Sequence, residues 1–284
     1  MTSFGRPFLA GLIGAGIQAS LTPAMHKREG AEQGLDYEYR LIDLDVLGVG
    51  IKALPDLLQK AESEGFAGLN ITHPCKQAVL AHLTDLSDEA RSIGAVNTVV
   101  LNDGRRFGHN TDWYGFAESF RLGLPRASLR NVVQVGAGGA GAATAHAALK
   151  LGADHVSLFD VDIDRARSLA AGLNARFGEG RAVAVNSLDA AMRDADGLIH
   201  ATPTGMAKYP GLPLPADLLR PDTWVAEIVY FPLETALLRT ARSLGCRTLD
   251  GSGMAVFQAA EAFRLFTGIT PDVERMRRHF ETMT

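Results

Sequence analysis

The run Val132-Val133-Gln134-Val135-Gly136-Ala137-Gly138-Gly139-Ala140-Gly141 constrains this chain more than any other stretch. Its β-branched start reads as a buried parallel strand. The strand passes into G-x-G-x-x-G and then into the alanine-rich segment Ala142–Leu151, which reads as a helix. In such a corner Gly136 permits the tight turn, Gly138 lets backbone approach a pyrophosphate, and Gly141 lets the helix pack on the strand. A pyrophosphate lined by Ala137, Gly139 and Ala140 would meet unpaired N–H groups and the positive end of the helix dipole. The next apolar run, His155–Phe159, ends at Asp160, 24 residues after Gly136. That is near the offset of about 20 at which an acidic residue takes the adenosine ribose hydroxyls of a dinucleotide. The bland alternative, a glycine-rich turn with no ligand, lacks this context.

A second glycine cluster, Gly14-Ala15-Gly16-Ile17-Gln18-Ala19, follows the apolar run Phe8–Ile13. Here Ser20, Thr22 and Pro23 interrupt the stretch where a phosphate-binding helix would already be running. Asp43 and Asp45 also come late for a ribose partner, 29 and 31 residues after Gly14. The cluster reads as a strand-to-helix turn beside a substrate. With Arg6 in front and Ala19 behind, the same stretch imitates a signal peptide. Its apolar part is short and glycine-rich, and cleavage would remove the first strand, so a cytoplasmic protein is expected.

At 284 residues the chain suits two domains or one large α/β unit. A hydrophobic content of 46% and a charged content of 21% are those of an ordinary globule. A net charge of −4 gives no footprint for nucleic acid or anionic membrane. No apolar stretch reaches the roughly 18 residues that span a bilayer. Two cysteines, Cys75 and Cys246, are too few for a disulfide framework, and the eight histidines lack metal-ligand spacing. No metal is expected.

Strand and helix patterns alternate from end to end, which predicts parallel α/β architecture. Strands are expected near 8–13, 37–43, 66–71, 96–101 and 105–109, with helices near 22–34, 51–64, 75–82 and 112–122. Leu122-Gly123-Leu124-Pro125 ends the last of these and marks a crossing into a second domain. Further strands are expected near 131–135, 155–160, 182–185, 197–201 and 224–228, with helices between them. Pro203, Pro210, Pro213 and Pro215 punctuate a loop. Helices near 252–267 and 272–283 close the chain.

Hydride leaves an alcohol carbon only as the hydroxyl proton leaves too, so a nicotinamide site calls for a general base at that oxygen. Polar clusters at predicted strand ends are the places to look. Ser20-Leu21-Thr22-Pro23-Ala24-Met25-His26 puts two hydroxyls at a helix start, for a carboxylate or for plain N-capping. Asn70-Ile71-Thr72-His73-Pro74-Cys75-Lys76 puts a lysine where the dipole prefers anions, either a functional group or a solvated side chain. Asn97 in Gly94-Ala95-Val96-Asn97-Thr98 and Asp112 in Gly108-His109-Asn110-Thr111-Asp112 suit sugar-like hydroxyls, or else a turn and a helix cap. Gln258, after Asp250-Gly251-Ser252-Gly253-Met254, is a ligand contact or an amide satisfied between helices.

Together these clusters resemble the shikimate dehydrogenase family, including its quinate/shikimate dehydrogenase branch. The resemblance runs through S-L-T-P-A-M-H at 20–26, N-I-T-H-P-C-K at 70–76, G-A-V-N-T at 94–98 and H-N-T-D at 109–112. It continues in the glycine motif at 136–141, A-T-P-T-G-M at 201–206, V-Y-F-P at 229–232, and G-S-G-M with Gln258. It implies an α/β protein with a substrate domain at 1–110, completed by helices from about 252 to 284, and a Rossmann-type NAD domain at 111–251. The active site would lie in the cleft between them. The implied reaction oxidises the ring 3-hydroxyl of quinate or shikimate to the 3-dehydro acid, in a monomer or homodimer. By match of motif Lys76 and Asp112 are the catalytic pair, and Ser20 and Thr22 hold the substrate carboxylate. Thr72, Asn97 and Gln258 bind ring hydroxyls, and Tyr230 borders the substrate. Thr202, Met206, Val229 and Gly251 belong to the cofactor side, with Arg165 beside the adenosine end. Lysine is a poor base near neutrality unless desolvated, so the pair is expected to pass one proton as a coupled unit.

Two departures point to the NAD-linked branch. Thr22 stands where biosynthetic members usually carry serine, with His73 in the second motif. Phe159-Asp160-Val161-Asp162 stands where NADP-using relatives carry an Asn-Arg-Thr-like segment. A carboxylate would repel a 2′-phosphate by about 4 kcal/mol at ~4 Å and an effective dielectric near 20, unless Arg165 or Arg167 reached back. Glu227 stands where relatives often have aspartate. The alternative is an NADP-dependent shikimate or aminoshikimate dehydrogenase. More distant alternatives are a ligand-binding sensor without turnover and a tetrahydrofolate dehydrogenase of similar layout.

Overall fold

A computed structural model describes residues 7–284; Arg6, invoked for the signal-peptide reading, lies outside them. The chain divides into two compact units: everything up to Thr111 with Ala259–Met283, and Asp112–Gln258. The second division falls inside the helix Ser252–Thr267 rather than at its start.

The strands are β1 (Phe8–Gly14), β2 (Tyr37–Asp43), β3 (Gly68–Ile71), β4 (Asp85–Leu86), β5 (Thr98–Asn102) and β6 (Arg105–His109) in the first unit. They form one six-stranded sheet in the order β2-β1-β3-β5-β6-β4. The predicted parallel architecture fails here, because β5 runs antiparallel to both β3 and β6. The cause is local. Asp103 and Gly104 have φ of 49° and 72°, and two left-handed residues make the tight turn whose twist suits a hairpin. The reversal has a consequence for function: the entrance to β5 shares one sheet edge with the exits of β1, β3 and β6.

Alternate residues of β1 feed two cores. Leu9 and Ile13 pack with Leu54, Leu58 and Leu69, while Ala10 and Leu12 pack with Tyr37, Tyr39, Phe263 and Phe266. The second core encloses His26, which is fully buried with its Nδ1 3.0 Å from the Tyr37 hydroxyl. The helix Thr22–Glu32 is fastened to the chain's end by Glu29. Its buried carboxylate takes Arg275 Nε at 2.9 Å and Nη2 at 2.7 Å, and accepts the Asp272 N–H at 2.9 Å. Leaving such a buried charge uncompensated costs about 3–5 kcal/mol.

The second unit holds β7 (Asn131–Val135), β8 (His155–Phe159), β9 (Ala182–Ala184), β10 (Gly197–His200), β11 (Trp224–Glu227) and β12 (Thr248–Leu249). Their order is β12-β11-β10-β7-β8-β9, all parallel, as in a Rossmann-type domain. Both faces are covered, which is why β7 and β10 carry apolar side chains on both sides of the sheet. Val132 and Ile199 face the core built by Ala145, Ala148 and Leu149, whereas Val133, Val135 and Leu198 face Leu237 and Ala241.

Differences from expectation are otherwise at element ends and in short pieces. The helix expected from Ala142 begins at Gly139, inside the glycine motif. The helix Asp88–Ile93 was not expected, although its cap was legible: Ser87 Oγ accepts the Ala90 N–H at 3.1 Å.

Candidate active site

In the second unit the sheet's topology selects the site. The chain leaves β7 towards β8 on one side and returns to β10 on the other, so the crevice beyond these two strand ends is the switch point where such sheets bind ligands. Gly136, at φ 107°, lies so close to the segment after β10 that a Cβ there would stand 2.5 Å from the Ala201 carbonyl oxygen. Only glycine fits. A Cβ on Gly138 would meet open space, and no side chain caps the helix Gly139–Lys150. Uncapped N–H groups beneath open space fit the pyrophosphate of a dinucleotide.

The turn is braced from below by Gln134. Its buried Nε2 donates to the carbonyls of Gly136 and Gly141, each at 2.8 Å, and its Oε1 accepts the Thr144 hydroxyl at 2.8 Å. No motif marks this residue in the sequence. The signal was present: a glutamine in a buried β-branched strand needs a partner for every polar atom.

Asp160 leaves β8 with Oδ2 accepting the Ala137 N–H at 2.7 Å, so this one amide of the turn is paired and not left unpaired as expected, and Oδ1 accepts the Asp162 N–H at 2.9 Å. Arg165 does not reach back to it; its Nε lies 3.2 Å from Asp162 Oδ2, and Arg167 faces Asp164. Val161, beside Asp160, is almost wholly exposed.

Thr202 follows β10, its Oγ1 2.5 Å from His200 Nε2, and Met206 lies exposed further along the same loop. Val229 and Gly251 are brought together, since a Cβ on Gly251 would stand 2.7 Å from the Val229 carbonyl oxygen. Asp112 is buried in the first turn of the helix Asp112–Gly123. One turn on, a Cβ on Gly115 would stand 2.8 Å from the Gln258 backbone nitrogen, so Gln258 lies against this helix. Gln258 also donates its Nε2 to the Ala255 carbonyl at 3.1 Å. The Tyr230 phenol is pushed above its ordinary pKa, by burial first and by the Asp112 carboxylate second.

The first unit gathers its own set at the edge of its sheet. Its order places a switch point between β1 and β3. Ser20 and Thr22 follow β1, Thr72 follows β3, and a Cβ on Gly14 would stand 2.3 Å from Thr72 Cγ2. The helix Thr22–Glu32 has Pro23 in its first turn and no side-chain bond from its cap residue; Ser20 Oγ accepts the Thr22 N–H at a long 3.4 Å. Plain N-capping therefore accounts poorly for the two hydroxyls. Lys76 sits in the short helix Cys75–Ala78, its backbone carbonyl accepting the Val96 N–H at 2.9 Å.

Asn97 is tied to Thr111. Its Oδ1 accepts the Thr111 N–H at 2.6 Å and its Nδ2 donates to Thr111 Oγ1 at 2.9 Å, so this amide also positions the residue preceding Asp112. The amides of the glycine cluster after β1 are committed: Asp43 accepts Gly16 N–H at 3.0 Å, Ile17 N–H at 3.1 Å and Gln18 Nε2 at 2.8 Å. These contacts, that of Gln18 foremost, hold the Asp43 carboxyl below the usual carboxylate range. An internal acid thus occupies the amides that a phosphate would need.

Among the described residues no group of three or more His, Cys, Asp or Glu side chains could hold a metal ion, and no helix is long and apolar enough to cross a membrane.

Comparison with known proteins bears on the whole chain. The family model for the shikimate dehydrogenase substrate binding domain matches residues 12–99, and that for the shikimate 5'-dehydrogenase C-terminal domain matches 251–279. Residues 122–216 match the alanine dehydrogenase/PNT C-terminal domain. Shikimate dehydrogenase (NADP(+)) of Streptomyces avermitilis is 62% identical over 271 residues, covering 95% of this chain and 93% of the relative. Quinate/shikimate dehydrogenase (NAD(+)) of Corynebacterium efficiens is 50% identical, covering 96% and 97%. The structure of quinate dehydrogenase from Corynebacterium glutamicum in complex with NAD superposes with a TM-score of 0.92 at 47% identity, over 97% of this chain and 99% of the other.

Proposed function

The chain belongs to the shikimate dehydrogenase family, and we propose that it interconverts a ring hydroxyl and a ketone on a shikimate- or quinate-type acid, with NAD as its dinucleotide. The observation that carries the cofactor choice is Asp160, whose carboxylate is fastened beside the glycine turn by the Ala137 amide. A fixed carboxylate suits two ribose hydroxyls and opposes a 2′-phosphate.

A bound nicotinamide supplies the hydride acceptor for the carbon being oxidised. The chain's own part begins with Ser20 and Thr22, which donate to the substrate carboxylate at a helix start. Thr72, Asn97 and Gln258 read the ring hydroxyls, and Tyr230, its phenol kept protonated by burial, offers a donor. Lys76 takes the hydroxyl proton in oxidation and returns it in reduction, with Asp112 stabilising the charged lysine. Thr202, Met206, Val229 and Gly251 line the nicotinamide end, and Arg165 stands near the adenosine end.

A second reading has its own support: the Streptomyces avermitilis relative is named for NADP(+). In that case the enzyme is a biosynthetic shikimate dehydrogenase. Mixing purified protein with shikimate or quinate and either dinucleotide, and following reduced nicotinamide together with the mass of the keto acid, tests the reading. Reduced cofactor without keto acid, or neither product, would overturn it.

A further inference from the structure

We propose that Glu227 and His200 are positioning residues that set the direction of the Thr202 hydroxyl and so tune dinucleotide binding. The inference rests on reading this sheet edge as the dinucleotide site.

His200 and Glu227 end β10 and β11 and face each other in register. Both side chains are fully buried on the face shared with Val135 and Val225. Two such groups in a sheet interior are costly unless each polar atom is answered. Here they are. Glu227 Oε1 accepts the Val229 N–H at 3.0 Å, Oε2 accepts the Thr235 hydroxyl at 3.2 Å, and His200 Nδ1 lies 2.9 and 3.0 Å from the two oxygens.

A carboxylate offers only lone pairs, so Nδ1 carries the hydrogen. With the imidazole neutral, Nε2 is an acceptor, and it faces Thr202 Oγ1. The threonine proton is drawn inward. Its oxygen accepts the Thr204 N–H at 3.3 Å and keeps its second lone pair for a ligand. Thr202 therefore presents an acceptor, suited to a hydroxyl or amide N–H donor of the dinucleotide. The same carboxylate steadies the segment after β11 through Val229 and the start of the helix Ala236–Ser243 through Thr235. Gly205 of the Thr202 loop packs against Thr235, its Cβ position 3.3 Å away.

The direction can be reversed without removing bulk. In Glu227→Gln the amide N–H can donate to Nδ1, which moves the ring hydrogen to Nε2 and turns the Thr202 proton outward. Calorimetry with NAD and with NADP, alongside thermal unfolding and separate KM values for dinucleotide and cyclic acid, reads the effect. Glu227→Gln and Thr202→Val should each weaken the preferred dinucleotide about tenfold, the scale of a displaced hydrogen bond. The KM for the acid should stay within about twofold, and Thr202→Ser should bind as wild type does. Should Glu227→Gln fail to fold, Thr202→Val on its half-buried loop decides alone. A folded variant that binds the dinucleotide with wild-type affinity overturns the proposal. Wild-type protein that binds neither dinucleotide overturns the cofactor reading beneath it.

Discussion

The carboxylate of Asp160 accepts the backbone N–H of Ala137 at 2.7 Å, fastening the acid that follows β8 to the glycine turn that follows β7. The other oxygen is held by the Asp162 amide at 2.9 Å. The charge at this position is fixed in direction as well as in sign. Asp43 stands in the same relation to the glycine turn of the first unit, but there it takes two successive amides and a glutamine, leaving no room for a phosphate.

Asp160→Asn keeps an acceptor for Ala137 and removes the charge. The ratio of kcat/KM for NADP to that for NAD should rise by at least about tenfold, well inside the ~4 kcal/mol that a fixed charge pair can supply. An unchanged ratio would mean that Asp160 does not face the ribose.

Lys76→Ala should lower kcat by about 10²–10⁴, the usual worth of a general base. Dinucleotide affinity, measured by calorimetry, should stay within about twofold. Near-normal turnover would reduce Lys76 to an anchor.

Gln134→Leu leaves the Gly136 carbonyl and the Thr144 hydroxyl without their buried partner. Stability should fall by about 1–3 kcal/mol, and the dinucleotide KM should rise while the KM for the acid holds. Gln134→Glu, which keeps the Thr144 acceptor but turns an anionic oxygen towards two carbonyls, should bind dinucleotide more weakly than the leucine variant. The reverse order would show that volume, and not the two N–H donors, shapes the turn.

Burial pushes the His26 pKa down to about 3. Below about pH 6.5 the unfolded chain takes up a proton that the folded chain refuses, so stability falls by about 1.4 kcal/mol per pH unit towards 3 and is unaffected above 6.5. Urea unfolding of wild type and His26→Phe at pH 7 and pH 5 should show the difference between them shifting by about 2 kcal/mol in favour of the variant. Parallel pH dependence in the two proteins would contradict this.

The site was legible where its logic is local. The glycine motif and the spacing to Asp160 lie within one β-turn-α-β segment, and their meaning follows from backbone geometry. The β5–β6 hairpin was equally local, since Asp103-Gly104 is a strong two-residue turn, but alternation along the whole chain hid it. His200 and Glu227 are 27 residues apart, and Glu29 and Arg275 are 246 apart. Such pairs exist only once strand register or helix packing is set, and one chain read in line gives neither. Asn97 shows the mixed case: its residue type suggested a ligand, and the fold also gives it Thr111 to hold.

The most direct test of the account is a grid of initial rates with quinate and shikimate, each against NAD⁺ and NADP⁺. Turnover of one or both acids with NAD⁺, at kcat/KM at least about tenfold above that with NADP⁺, is the result expected from a fixed Asp160 carboxylate. Shikimate turnover that prefers NADP⁺ would contradict it.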